Sequence, residues 1–316
     1  MKYLVMCIML LTTLYAKGLI NPDYVYEASG MVDDLVYKDQ KLYLGTANGV
    51  VDIFDTKTKN RLKQIKISKV KDFMGDDIDS KIFSVDVLGD KIMILSQDSG
   101  GYSRLDIYQN GKMEHVITKT DMLNIIEAKF IDKNKVLLAL ISNDIISFDI
   151  VNKKKLWTIQ ASASKFSSFA LSKDKSKAVV ADESGVLHLI STKNGSKIKE
   201  LSGQNVDNIY SVDFQNNVVI TGGVDRRAGI YNLNSNSSYY KASDFFVYGV
   251  GLSPSGKIGG YSSDTDNNVK IFNISTREVI GKYNAYKMIV NGVCFINEKE
   301  FFINSSSKKI GYFKIK

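Results

Sequence analysis

The stretch VDFQNNVVITGGVDRRAGIYN, residues 212–232, holds three short apolar runs separated by two polar turns, QNN at 215–217 and DRR at 225–227. Alternation of apolar and polar side chains over four to six residues, broken by Asn, Gly and Asp, is the pattern of strands joined by hairpins. The same pattern recurs along nearly the whole chain. Corresponding runs begin at Leu35, Val85, Ala128, Ala170, Val212, Val250 and Val293. Six steps from residue 35 to residue 293 give a spacing of about 43, the period of a propeller blade and not of a helical solenoid.

Each repeat adds a more polar fourth run, for example RLKQIKI from Arg61 and KLWTIQ from Lys155. No segment shows convincing helical amphipathicity, and the only prolines are Pro22 and Pro254. The expected fold is all-β, a seven-bladed β-propeller of four-stranded antiparallel blades starting near residues 33, 82, 125, 167, 209, 247 and 290. The last repeat reaches Lys316 after three strands, whereas YVYEAS at 24–29 alternates like a strand without a partner of its own. Pairing the two covers an exposed edge and closes the ring.

The first residues, MKYLVMCIMLLTTLYAKG, combine a charged start at Lys2, an apolar run from Tyr3 to Leu14 and a small residue at Ala16. This is the order of a secretory signal, with a run too short for a bilayer core about 30 Å thick. The expectation is a signal peptide over 1–16, one propeller domain over 17–316, a periplasmic location and no stable membrane insertion of the mature chain. Cys294 alone would survive cleavage, so no internal disulfide is expected, and in VNGVCFI it behaves as a small hydrophobe. The chain carries 42 Lys and Arg against 34 Asp and Glu, a net charge of +8. Such an excess suits an acidic partner or anionic lipid. Lysines spread over most of the length fit a solvated surface better than a nucleic-acid groove, and no nucleic acid is expected.

The repeats resemble degenerate WD40 repeats. ITGGVDRRAGIYNL is similar to that family's Gly/Ser-rich second strand, Asp-containing turn and third strand ending in Trp-Asp. Here the Trp is replaced, as in Phe54-Asp55, Tyr108-Gln109, Phe148-Asp149, Tyr231-Asn232 and Phe272-Asn273. The family's Gly-His pair is missing, so its structural hydrogen-bond tetrad cannot be carried over. DTKTKNRL, DIVNKKKLW and STKNGSKI are similar to the Asp-x-x-Thr-Gly-Lys-x-x-Trp ends of quinoprotein-like propellers. Signal, length and lysine-rich degenerate repeats together resemble the accessory proteins of the periplasmic nitrate reductase system of epsilonproteobacteria. That resemblance implies an auxiliary role in assembling or supporting the reductase, without catalysis.

Residues suited to chemistry are sparse. His188 lies in VLHLI, a strand alternation, and His115 in GKMEHVI has no cysteine or second histidine at metal-ligand spacing. The acidic turns GDDIDS (Asp76, Asp77, Asp79) and SDTDNN (Asp264, Asp266, Asn267) lack the distant glutamate of a calcium loop. Trp157 falls in an outer-strand run, where packing between blades accounts for it. No cofactor, metal or catalytic residue is expected. The turns between second and third strands hold Asn48, Asp98, Asp144, Asp182, Glu183, Asp225, Asp264 and Lys308. Their aspartates suit hydrogen bonds to their own turns, which leaves Arg226 and Arg227 as departures from the repeat. Arginine is enriched at interface hot spots. Together with Lys63, Lys66 and Lys69, in the basic run KTKNRLKQIKISKVK, this pair forms the expected partner-binding set. The reading is a periplasmic non-enzymatic scaffold for a protein partner, with nitrate reductase components foremost. An outer-membrane or envelope assembly propeller and a quinone- or small-molecule-binding propeller enzyme stay open.

Overall fold

A computed structural model describes residues 18–316; the signal-peptide expectation lies outside them. Seven four-stranded antiparallel sheets form a propeller. The inner strands are Val32–Lys38, Ile82–Leu88, Ile125–Phe130, Phe166–Leu171, Ile209–Gln215, Val250–Leu252 and Val290–Phe295. The first six blades run from inner to outer strand in chain order. Antiparallel order places the turn between second and third strands at the same end of a blade as the connection arriving from the preceding blade. That end is called the loop face below. Among the described residues no helix is long and apolar enough to cross a membrane.

The quoted stretch forms the inner strand Ile209–Gln215, then Val218–Gly223 and Arg227–Asn232, with Ser237–Ala242 outermost. Asn216 and Asn217 take positive φ in the first turn, a backbone that asparagine tolerates well. Alternation decides which side chains meet the neighbouring blades. Accordingly the core divides into seven apolar clusters, one at each blade interface.

Tyr24–Glu27 pairs antiparallel with Lys309–Lys314 and becomes the outer strand of blade 7. Val32 N–H also donates to Ser307 O at 3.0 Å, and Asp23 Oδ2 accepts from Lys314 N–H at 2.9 Å. Ahead of this strand, Ile20 exchanges main-chain hydrogen bonds with Lys282 and Asn284 beside blade 6. The side-chain anchor is Tyr26, 2% exposed, whose ring meets Phe54 of blade 1 at 5.4 Å and Phe302 of blade 7 at 5.9 Å. Burial drives this contact, and edge-to-face aromatic pairs add about 0.5–1.5 kcal/mol each. Tyr26→Ala should therefore lower unfolding stability by about 3–4 kcal/mol, read from the midpoint of urea denaturation. An unchanged midpoint would mean the seam does not hold the ring.

Candidate functional site: the channel and the loop face

The inner strands line a central cavity of about 460 Å³. Aligned by blade, they begin with a buried apolar residue, Val32, Ile82, Ile125, Phe166, Ile209 and Val290, and in blade 6 Val247 precedes the strand in the same place. In six blades a β-bulge follows directly, between this residue and the second one after it. The bulge re-aims the strand. Its next positions bring Asp34, Glu127, Asp86, Lys129, Asp213 and Cys294 to the channel.

Four of these carboxylates bridge to the next blade. Asp34 Oδ2 accepts from Val85 N–H at 2.8 Å and Asp86 Oδ2 from Phe130 N–H at 2.8 Å. Glu127 Oε2 accepts from Phe169 N–H at 3.1 Å and Asp213 Oδ2 from Leu252 N–H at 2.8 Å. Elsewhere Ser167 Oγ donates to Asn208 Oδ1 at 3.2 Å, and Asn291 Nδ2 donates to Val32 O at 3.1 Å. Blades 6 and 7 meet by backbone approach. A Cβ on Gly251 would sit 1.8 Å from Val293 O, so only glycine fits there.

Lys129 is the cation at the centre. Its Nζ donates to Asp34 Oδ2 at 2.9 Å and to Val85 O at 3.0 Å. Burial opposes its charge, but Asp34, Glu127 and Asp86 outweigh that and hold it above the usual lysine range. Desolvation pushes Glu127 up to about 7 against the pull of Lys129 and of Phe169 N–H. Burial also raises Asp213 and lifts the Cys294 thiol to about 12, which keeps that sulfur protonated and unreactive. None of these acids stood out in the sequence. The signal was there once the blades are aligned: VDV at 85–87, VDF at 212–214 and AKF at 128–130 place a charge at one repeat position.

On the loop face the two arginines part company. Arg226 is exposed with φ of 61°. Arg227 opens the third strand, stacks its guanidinium 4.4 Å from the Tyr240 ring and donates to Gln204 O at 3.4 Å. Their turn is held by Asp225, which accepts from Val206 N–H at 2.9 Å and from Arg227 N–H at 3.1 Å. Asn205, 3% exposed, donates to Asp225 at 3.1 Å and accepts from Thr221 Oγ1 at 2.5 Å. A turn-locking network therefore exists without the Gly-His pair, built on an asparagine that sequence reading passed over.

Lys63 reaches Tyr108 of blade 2, with its ammonium 4.6 Å from the ring centroid, and Lys69 pairs with Asp79 at 3.5 Å. Lys66 is exposed on the same outer strand, Arg61–Lys66. The acidic turn after it is a small hairpin, Val70–Lys71 with Asp77–Ile78, whose tip carries Phe73 at 93% exposure and Met74 at 73%. Sequence reading considered only the acidic residues of this segment, Asp76, Asp77 and Asp79, and not Phe73 or Met74.

Both histidines sit against carboxylates: His188 Nε2 lies 3.3 Å from Asp182, and His115 Nδ1 lies 2.6 Å from Asp106. Burial pushes Asp182 upward, but the nearby His188 ring and hydrogen bonds from Ser162 and Ser184 outweigh it and hold this carboxyl well below its usual range. Asp264 pairs with Lys282 at 2.6 Å and accepts from Asn268 N–H at 2.9 Å. Trp157 packs at the junction of blades 3 and 4.

No known family matches the chain, and no curated protein is recognisably similar to it.

The channel makes stability pH-dependent in a defined direction. Glu127 titrates near 7 when folded and near its ordinary 4.5 when unfolded. The folded state therefore holds the proton more tightly, and ionising this group costs stability as pH rises from about 4.5 to about 7. The melting temperature of Glu127→Gln relative to the parent should rise by roughly 2–4 °C between pH 5 and pH 8. An equal difference at both pH values would contradict the assignment.

Proposed function

We propose that the protein is a periplasmic, non-enzymatic scaffold whose loop face docks a protein partner. The partner class we favour is a component of a respiratory complex such as periplasmic nitrate reductase, which the scaffold assists in assembly or support. One observation carries this reading. Among the described residues, ten of the seventeen exposed large apolar side chains lie at or beside the loop face, including Met31, Phe73, Met74, Met122, Val206 and Ile289. At or beside the opposite face there are four, Leu62, Val151, Ile198 and Val279. Apolar side chains gathered on one end of a ring contribute nothing to its core and are characteristic of interaction surfaces. Loops held by a rigid framework are also where binding residues concentrate. The engagement of His115 and His188 with buried carboxylates agrees with a scaffold more than with acid-base catalysis.

Phe73 and Met74 form the most exposed apolar pair, and burying a Phe side chain stabilises a complex by about 1.5–3 kcal/mol. Replacing Phe73 by Asp and Met74 by Ser should reduce partner capture at least tenfold and leave the melting temperature unchanged. A photo-crosslinking residue at 73 should trap the partner in the native periplasm, while the same residue at Val151 should not. Crosslinking to outer-membrane assembly proteins in place of respiratory ones would move the assignment to envelope assembly. Equal trapping at both positions would remove the loop face from consideration.

The arginines give a second contrast. Arg226→Ala should weaken capture without altering thermal stability, whereas Arg227→Ala, which loses the Tyr240 stack, should lower the melting temperature. Equal thermal behaviour of the two variants would contradict the division of roles.

A further inference from the structure

We propose that the channel binds a small organic cation bearing a primary ammonium group, in the cavity whose wall includes Asn304 of blade 7 and Asp33 of blade 1. Asn304 is 5% exposed, lines the cavity, and its Oδ1 has no hydrogen-bond partner among the described residues. An orphaned buried acceptor costs about 1–3 kcal/mol, so a group that persists in this state asks for a donor. Asp33 offers a second one: Oδ1 pairs with Lys81 at 3.0 Å, whereas the buried Oδ2 is unpartnered.

The room for a ligand comes from Gly292, which pairs directly with Asn304. Gly292 stands where five inner strands carry Asp34, Ser84, Glu127, Ser168 and Ser211, and where blade 6 has Gly249. A Cβ on Gly292 would find only Val250 O, at 3.9 Å, and its backbone is not left-handed. Packing therefore does not require glycine here, in contrast to Gly251. What its absent side chain leaves is space in front of Asn304.

Hydrogen-bonding capacity decides the ligand's chemistry. The inner cationic donors are already engaged, Lys129 with Asp34 and Val85 O, and Lys175 Nζ with Phe130 O at 2.8 Å. The two buried wall atoms without a partner, Asp33 Oδ2 and Asn304 Oδ1, are acceptors, so a ligand that satisfies them must donate. Charge agrees: the carboxylates of residues 33, 34, 86, 127 and 213 line the cavity against the lysines 129, 173 and 175, within a chain of net charge +8. Burial holds Asp33, Glu127 and Asp213 above the ordinary carboxylate range, and a bound cation would favour their ionised forms. Among the described residues no three His, Cys, Asp or Glu side chains converge as metal ligands. Val250, Leu252, Val293 and Phe295 on the wall suit the methylenes of an organic amine. The volume lies within the usual range for small-molecule pockets, about 300–1,000 Å³.

The test is calorimetric titration of the full folded chain with putrescine, using 1,4-butanediol and succinate as isosteric neutral and anionic controls. Saturable one-to-one binding of putrescine, complete by about 1 mM, with neither control binding, is the expected result. Gly292→Leu, which fills the space, and Asn304→Leu, which removes the acceptor, should each weaken putrescine at least tenfold. Both variants should keep melting temperatures within a few degrees of the parent. Partner capture through Phe73 should also survive in Gly292→Leu, because the two sites are separate. Absence of putrescine binding, tighter binding of succinate, or full binding by a folded Gly292→Leu would each overturn the proposal.

Discussion

Everything in this ring depends on how the inner edge of each blade is satisfied. An inner strand is a sheet edge, and its outward N–H groups must find acceptors once neighbouring blades crowd them away from water. Asp34, Asp86, Glu127 and Asp213 meet that need by reaching across to the next blade at 2.8–3.1 Å. A charged acceptor makes a stronger hydrogen bond than a neutral one, and this offsets part of the cost of bringing carboxylates together. The remaining junctions use Ser167, Asn291 and the bare backbone at Gly251. The angular fit of seven sheets is therefore settled at the axis, while apolar clusters fill the wedges between blades.

The acidic axis and the basic exterior follow from the same geometry. Lysines sit chiefly on outer strands and turns, where their stems cover apolar surface and their heads stay in water. Lys63 over Tyr108 and Arg227 over Tyr240 show the device at close range. Inside, acids outnumber lysines, and the deficit of donors follows from using carboxylates as acceptors for main-chain N–H groups. A basic protein can thus enclose an acidic lumen without any separate segment to create it.

The architecture was legible because two periods coincide in the sequence: alternation at two residues names the strands, and recurrence at about 43 names the blades. The unpartnered YVYEAS run announced the closing strand for the same reason. The channel residues were not legible in this way. In VDF or VDV an aspartate between apolar neighbours has the pattern of a solvent-facing strand residue, and only the bulge after the first buried position turns it towards the axis. Arg226 and Arg227 are adjacent in sequence, but the left-handed backbone at Arg226 separates the direction of one side chain from the next. Phe73 and Met74 were hidden by the acids around them, because a two-residue hairpin has too little alternation to be recognised.

The chain crosses every blade junction covalently, and the ring is closed by strand pairing inside blade 7. Between blades 7 and 1 the tie is the strand at residues 24–27, which belongs to blade 7 by pairing and continues into blade 1 by sequence. Tyr24 and Tyr312, partners in that ladder, are almost the full described chain apart. Bringing such distant segments together costs roughly 5 kcal/mol in loop-closure entropy, whereas each hairpin within a blade closes over only a few residues. The ring consequently has a mechanical polarity that its near sevenfold symmetry conceals. Tension applied between residue 18 and residue 316 would first break the bonds of Ile20 to blade 6 and then peel one short strand from blade 7 like a zipper, and the remaining blades would bear load only after that strand had gone.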